Sequence, residues 1–513
     1  MAVETELKLR IAPEQLARLK RHALLKTYSI TRPTTRRLQN IYYDTPKLDL
    51  HQSEMALRLR HAGRQWLQTL KGGGSVQAGL HRRNEWEVPV NRAALDFSAT
   101  QEVEWDEHLR PSLRKKLHPV FVTDFSRNSR MLDFQGAQIE LCMDQGEVRT
   151  EQHSMPICEL ELELKSGEPQ QLFELALAIL DIVPFELETV SKAENGYRLL
   201  SGFTGHPVKG VAPKIADADT LADVLEKLIW SCLQHFQGNL SGAMGHGAMA
   251  SDDAEYLHQM RVALRRLRVV LRMAEKVLAD QHLAGLYKDV SDLCVALGRI
   301  REWDVFIAGM LQPMCARMAG HAGLQALLAA SEQQHAACYA TLRGTARARE
   351  LQRLLLRFAI WMNGDYWLHA GWQQAEVLSA RDFATRRLRK LAKRFALSGQ
   401  QMDTAGAAQL HALRIIAKKL RYSAEFFADL YDRKKAGTFL ATLSEVQDVL
   451  GQINDVAVAH RLLDGLAADA GLAAHQESIT LSRGWIAHDL SHQLDVLRKT
   501  IQRFNKQDAF WEK

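Results

Sequence analysis

Residues 159–164 read ELELEL and residues 3–11 read VETELKLRI. Successive side chains of a β-strand point to opposite faces, so this alternation gathers the charges on one face and the leucines on the other, with same-face neighbours about 7 Å apart. A helix would scatter the same residues around its circumference. The charged face must then be placed. Other candidate strands repeat the pattern, with Arg58/Arg60 in ALRLRHAGRQWLQTLKGGG, Glu85/Glu87 in EWEVPV, and further segments AQIELCMDQGEV and ICELELELKSGE. An antiparallel sheet commonly turns such a face to solvent, and for ETELK alone an exposed edge strand stays open as the alternative. Several strands carrying both signs favour a charged interior. The same region carries a helical pattern at 170–181.

At 513 residues the chain exceeds one typical domain. The stretch GFTGHPVKGVAPKIADADT at 202–220 is rich in Gly and Pro and has no periodicity, which marks a boundary. We therefore expect a strand-rich domain over 1–203, a linker over 204–218 and a helical domain over 219–513. Amphipathic spans in the last run over 221–237, 252–279, 282–311, 322–343, 347–363, 381–395, 406–430, 434–466 and 475–504. Six cysteines without a CxxC pair exclude a disulfide scaffold and a cysteine zinc site. Charge begins at Glu4 and no run of 18 apolar residues occurs, so neither a signal peptide nor a membrane span is expected and the cytoplasm is the expected location.

The helical part contains a repeat. LHQMRVALRRLRVVLR from Leu257 and LHALRIIAKKLRYSAE from Leu410 superpose, with His258 and His411 lying 153 residues apart; Gly298 in ALGRI and Gly451 in LGQIND share that offset. Two matches at one offset indicate two related halves. In each half His258, Arg261, Arg265 and Arg268, or His411, Arg414, Lys418 and Arg421, recur every three or four residues and form one narrow stripe. The stripe contains no acid. Partnering by Asp304 and Asp455 on neighbouring helices is the structural alternative. Facing stripes of Arg, Lys and His otherwise suit an extended, multivalent anion such as polyphosphate or nucleic acid. Aromatics for base stacking are missing apart from Tyr422, which weighs against single-stranded nucleic acid.

In the strand region two carboxylates about 7 Å apart repel by about 2 kcal/mol at an effective dielectric of 20, so an inward Glu4 and Glu6 need cations. Lys8 is one, and a hard divalent metal would be another. The KGGGS segment at 71–75 lacks the GK[ST] ending of a phosphate loop and is expected to be a hairpin turn.

The ordered set ETELK, YYDTP at 42–46, LRLR at 57–60, TLK ending at Lys71, GLHRRNEWE, DFSRNSR, DQG, ELELEL and SKAENGYRL resembles the CYTH family, the triphosphate tunnel metalloenzymes, over about 200 residues. The resemblance implies an eight-stranded antiparallel tunnel. It further implies that Glu4, Glu6, Glu161 and Glu163 bind Mg2+ or Mn2+, and that Lys8, Arg58, Arg60, Lys71, Arg83, Arg127 and Lys192 grip phosphate. Glu85 and Asp144 would orient a second metal or the attacking water. ELELEL offers three same-face glutamates where the family pattern uses two, so Glu159 competes with Glu163, and Arg130 differs from Arg127 in strand parity. The paired basic helices resemble the CHAD domain over about 219–510, which implies polyphosphate binding on the two stripes. The fold class expected is thus α+β and multidomain, a β tunnel followed by an all-α domain with two related halves. CYTH joined to CHAD resembles the bacterial inorganic triphosphatase arrangement, which implies metal-dependent hydrolysis of tripolyphosphate. Adenylyl cyclase, thiamine or nucleoside triphosphatase, and a non-catalytic polyphosphate-binding protein remain the alternatives.

Overall fold

The computed structural model describes residues 2–98, 109–202, 205–216, 218–245, 254–278, 280–364, 367, 379–400, 406–488 and 490–512; residues 204 and 217 of the expected linker lie outside that set. Two compact units are present, Met1–Gly205 with Thr345–Trp367, and His206–Gly344 with Leu368–Lys513.

The first unit is built on strands β1 (Ala2–Arg10), β2 (Thr34–Asp44), β3 (Met55–Ala62), β4 (Gln65–Gln77), β5 (Leu80–Val90), β6 (His118–Phe134), β7 (Ala137–Arg149) and β8 (Ser154–Ser166), with a two-residue β9 (Glu186–Leu187). Their order is β5-β4-β3-β2-β6-β7-β8-β1, and β1 pairs back onto β5. Every pairing is antiparallel, so the eight long strands close into the expected barrel and no long edge remains. The leucines of the alternating strands form its outer face: Leu7, Leu9, Leu160 and Leu162 are fully buried. The helix expected over 170–181 is Pro169–Ile182, its start fixed by a capping box between Glu168 and Gln171, and its buried residues include Leu172, Phe173, Leu175, Ala176 and Ile179. It packs on β1 and β8, which is why an outward Leu7 is nevertheless buried.

Helix Lys192–Ser201 plugs one end of the barrel. Ser191 caps its start and Gly202, in the left-handed region, ends it. Ala193 and Tyr197 join Leu38, Tyr42, Phe121, Phe125, Val148 and Ile157 in an apolar cluster. A Cβ on Gly196 would come 2.2 Å from the Phe121 ring, so the helix can approach this closely only with glycine there. The KGGGS segment differs from expectation. It belongs to β4, whose ladder to β5 skips between Gly72 and Ser75, and a Cβ on Gly74 would lie 1.9 Å from the Arg82 carbonyl oxygen. This is a bulge; the turn itself falls at Ala78 and Gly79, both at positive φ.

Helix Thr345–Asn363 also belongs to the first unit, although its sequence lies among the helical spans. It packs on Pro169–Ile182, and its buried Gln352 accepts a hydrogen bond from the Leu187 N–H at 3.0 Å. Arg353 pairs with Asp181 at 2.6 Å.

The second unit is helical: Leu221–Met244, Ala254–Ala274, Gln281–Phe306, Ala322–Arg343, Ala380–Gln400, Ala407–Phe427, Arg433–Ala467, Gln476–Ala487 and Leu490–Asn505, with shorter turns between. The span expected over 475–504 is thus two helices. The repeat helices are Ala254–Ala274 and Ala407–Phe427, and the paired glycines sit inside Gln281–Phe306 and Arg433–Ala467. Met260, Leu264, Leu267 and Val270 bury one side of the first repeat helix; the second sits in a core with Phe395, Leu413, Leu420, Phe439, Leu443 and Phe504. Among the described residues no helix is long and apolar enough to cross a membrane, and all six cysteines are free.

Candidate functional site

The register of the barrel decides which charges meet. Between β1 and β8, Glu6 lies opposite Glu163 and Lys8 opposite Glu161; across the β1–β5 seam Glu4 lies opposite Arg83. A cavity of about 850 Å³ is lined by Glu4, Glu6, Lys8, Arg58, Arg60, Lys71, Arg83, Glu85, Arg127, Glu161, Glu163 and Lys192. Of the residues expected in the tunnel site only Asp144 does not line it. Asp144 is fully buried and lies opposite both Arg127 and Glu159.

Deep in the barrel the charges are knotted together. Oxygens of Asp144, Glu159 and Glu161 lie within 4.8 Å of one another. The Lys192 ammonium is 2.7 Å from Asp144 and 2.9 Å from Glu161 and also pairs with Glu159. Arg127 donates two bonds to Asp144, at 2.8 and 2.6 Å, and a further one to Glu161. Lys8 is 2.8 Å from Glu6 and bonds Glu161. Burial opposes the charge on Glu161, but Lys192, Lys8 and Arg127 hold its carboxyl well below the usual range. Glu159 moves the other way: burial, with help from Glu161 and against Lys192, pushes it up to about 7.

Nearer the wall of β3–β5 cations outnumber their partners. Lys71 pairs with Glu4 and, at 3.3 Å, with Glu85; Arg58 reaches Glu85 at 3.4 Å. Arg60 donates to the neutral Asn40 Oδ1 at 2.9 Å. Burial, then the neighbouring Arg58 and Arg127, lowers the Arg60 guanidinium to about 10. Such crowding favours any ligand that brings negative charge between these groups.

Glu4, Glu6, Glu161 and Glu163, on adjacent strands and facing one cavity, offer only hard carboxylate oxygens, a donor set that fits Mg2+ or Mn2+ and not a soft metal. Glu159 is deeper than Glu163 and does not line the cavity. Arg130 turns away from the interior and bonds Asn128 at 3.3 Å. Glu140, Lys165 and Ser191 line the cavity without having been anticipated. Lys165 continues the parity of Glu159, Glu161 and Glu163, and Glu140 that of Asp144, so strand parity was the available signal for both; Ser191 enters only because the plug helix starts there.

The stripes of the helical unit form a second cationic site. Burial, then Arg265, Arg414 and Arg261, lowers the Lys418 ammonium to about 6, so both stripes act on one group. His258 is lowered to about 4 by burial and by Arg301, Arg265 and Arg261. Among the described residues the buried Nε atoms of Arg265 and Arg414 have no hydrogen-bond partner. Arg261 donates to the Gly298 carbonyl at 2.9 Å, Arg268 to the Tyr287 hydroxyl at 3.2 Å, and Arg421 to Glu425 at 2.7 Å; His411 meets Asn454 at 3.2 Å. Of the two expected acidic partners, Asp304 is taken by His335 at 2.7 Å. Asp455 acts on Arg414 and Lys418 without forming an ion pair among the described residues. A Cβ on Gly298 or Gly451 would meet nothing within 4 Å.

Comparison with known proteins matches the CYTH domain model to residues 2–197 and the CHAD domain model to residues 227–464. The inorganic triphosphatase of Haemophilus influenzae is 35% identical over 203 residues, which are 39% of this chain and 55% of that protein; the chain thus spans about half the length of that curated relative. Among solved structures, the CHAD domain of the plant Ricinus communis is 30% identical, with a TM-score of 0.49, over 58% of this chain and 96% of that one. HpAC1 from Hippeastrum, with a dominant triphosphatase activity, is 20% identical, with a TM-score of 0.30, over 39% of this chain and 96% of that one.

Proposed function

The chain carries a CYTH domain over residues 2–197 followed by a CHAD domain over residues 227–464, and on that premise we propose that it hydrolyses tripolyphosphate to pyrophosphate and phosphate in the barrel and binds longer polyphosphate on the helical stripes. The observation that carries the reading is the cavity of about 850 Å³ in which Lys8, Arg58, Arg60, Lys71, Arg83, Arg127 and Lys192 face Glu4, Glu6, Glu161 and Glu163. Arg58, Arg60, Lys71 and Arg83 bind the phosphoryl oxygens and hold the chain in line for attack. Lys8, Arg127 and Lys192 balance the inner carboxylates and meet the negative charge that grows on the leaving phosphate. Glu85, beside Lys71 and Arg58, is positioned to accept a hydrogen bond from the attacking water. Glu4, Glu6, Glu161 and Glu163 would hold Mg2+ or Mn2+, which when bound neutralises phosphoryl oxygens. Asp144 acts from behind by fixing Arg127 and Lys192. The functional division is 1–203, joined by helix Thr345–Asn363, for hydrolysis and the rest of 219–513 for binding, with 204–218 between. Free cysteines support a cytoplasmic location.

Phosphate release from tripolyphosphate, ATP, thiamine triphosphate and long polyphosphate, with and without Mg2+, tests this. Tripolyphosphate is expected to be fastest, and Glu6→Ala to slow it by about 100-fold or more. Preference for ATP or thiamine triphosphate would shift the reading to another triphosphate enzyme of the same fold. No release from any substrate, with polyphosphate still bound, would leave a binding protein. Arg265→Ala combined with Arg414→Ala should weaken polyphosphate binding while tripolyphosphate turnover persists; unchanged binding would remove the stripes from the account.

A further inference from the structure

Neighbouring strands of the barrel run in opposite directions, so the start of β2 and the ends of β3 and β8 meet at one end, where Thr34, Arg36, Ala62 and Lys165 line the cavity. The other end carries the plug helix. Its apolar side packs on Tyr42, Phe121, Val148 and Ile157 from β2, β6, β7 and β8, and the Tyr197 hydroxyl donates to Asp44 at 3.0 Å. Toward β3, β4 and β5 a second cavity of about 620 Å³ remains beside the helix. It shares Ala56, Lys71, Arg83, Ser191 and Ala193 with the first, so the two are continuous. The bulge of β4 shapes its outer rim. Gly73 and Gly74 have no register partner on β5, and with Ser75, Gln52 and Glu54 they are exposed residues of the lining.

Charge differs between the two ends. At the open end Arg36 is exposed and forms no ion pair among the described residues, while the acids there, Glu140 and Glu163, are both held by Lys165. Where the cavities join, the half-buried Arg83 also forms no ion pair among the described residues. The second cavity ends on acids. Glu54 forms no ion pair among the described residues, and Glu194 holds His51 at 2.9 Å and Arg198 at 3.3 Å. An anion is therefore drawn in at the open end, held at the junction and repelled at the far rim.

We propose that orthophosphate leaves the barrel through this second cavity, while tripolyphosphate enters by the open end. The inference rests on the barrel hydrolysing tripolyphosphate. Glu85 and Arg83 are same-face neighbours on β5, about 7 Å apart, with Arg83 on the side of the plug helix. As the water oxygen bonds to the terminal phosphorus, the bridging P–O bond breaks with its electron pair on pyrophosphate, and the water proton passes through Glu85 to solvent. Orthophosphate then forms within reach of Arg83, at the entrance of the second cavity, and pyrophosphate lies toward the open end.

Ser75→Trp and Thr189→Trp, both at exposed positions lining the second cavity, test this in the full-length protein with Mg2+. Single-turnover cleavage of tripolyphosphate should stay within about twofold of the unaltered rate, while kcat falls about tenfold because release becomes limiting. A burst of one orthophosphate per site should precede the steady state. Ser75→Ala and Thr189→Ala should keep the unaltered kcat. An unchanged kcat in both Trp variants, or a single-turnover rate that falls as far as kcat, would overturn the exit. Glu54→Lys tests the rim without filling the cavity: orthophosphate should inhibit about threefold more tightly as the repulsion is lost, with KM for tripolyphosphate unchanged. Inhibition that stays the same, or a KM that falls equally, would overturn the one-way arrangement of charge. Failure of the unaltered protein to cleave tripolyphosphate would instead overturn the reading on which the inference rests.

Discussion

Lys418 shows how much a side chain's chemistry depends on its neighbours. Its ammonium, ordinarily at 10.5, is lowered to about 6 by burial among Arg265, Arg414 and Arg261, so near pH 7.5 it is largely neutral. A polyanion entering the site restores the charged form and must draw a proton from solution. Calorimetry in buffers of different ionisation enthalpy should register an uptake approaching one proton per site at pH 7.5, vanishing below about pH 5 and lost in Lys418→Met. The same shift acts on stability. Between about pH 6 and 10.5 the unfolded chain binds the proton that the folded chain rejects, so this penalty is complete below 6 and fades as pH rises toward 10.5. Lys418→Met should therefore raise Tm at neutral pH, with a gain that shrinks in alkaline buffer. His258, held down to about 4, is a neutral hydrogen-bonding group at physiological pH and not one more cation.

Single elements carry consequences that no residue shows alone. The plug helix Lys192–Ser201 delivers Lys192 to the carboxylate knot only because Gly196 lets it lie against Phe121. Gly196→Ala should destabilise the first unit by about 1–3 kcal/mol through overpacking, read in urea unfolding, and should lower turnover along with it. Helix Thr345–Asn363 acts through Gln352, which holds the Leu187 N–H. The adjoining Glu188 N–H donates to the Lys8 carbonyl at 2.8 Å, so this helix fixes the backbone of a site lysine. Gln352→Leu leaves a buried donor unsatisfied, at a cost of about 1–3 kcal/mol. Hydrogen exchange should then quicken at Leu187 and along β1, while Arg353→Ala, which loses only an exposed pair, should change little.

At the scale of the whole molecule, two compact units in one chain imply two unfolding transitions with separate ligand responses. Tripolyphosphate with Mg2+, under conditions that prevent turnover, should raise the transition of the barrel; long polyphosphate should raise that of the helices. Differential scanning calorimetry checks both. A single transition shifted equally by either ligand would mean that the units melt as one.

Much of this was legible in the residues because it rests on short-range periodicity. Alternation in ELELEL and VETELKLRI determined that Glu6, Lys8, Glu161 and Glu163 share a face, and three-to-four spacing determined the stripes of His258 and His411; both follow from backbone geometry within a few residues. Tertiary structure alone decided which charges face each other. Strand register buried Asp144 behind Arg127 and drew Lys192 among three carboxylates, packing lent the barrel a helix from far along the chain, and the fold set Arg387 against Ser423. Those placements depend on contacts between distant segments, and the charge that results at each atom is a sum over neighbours that sequence order does not specify.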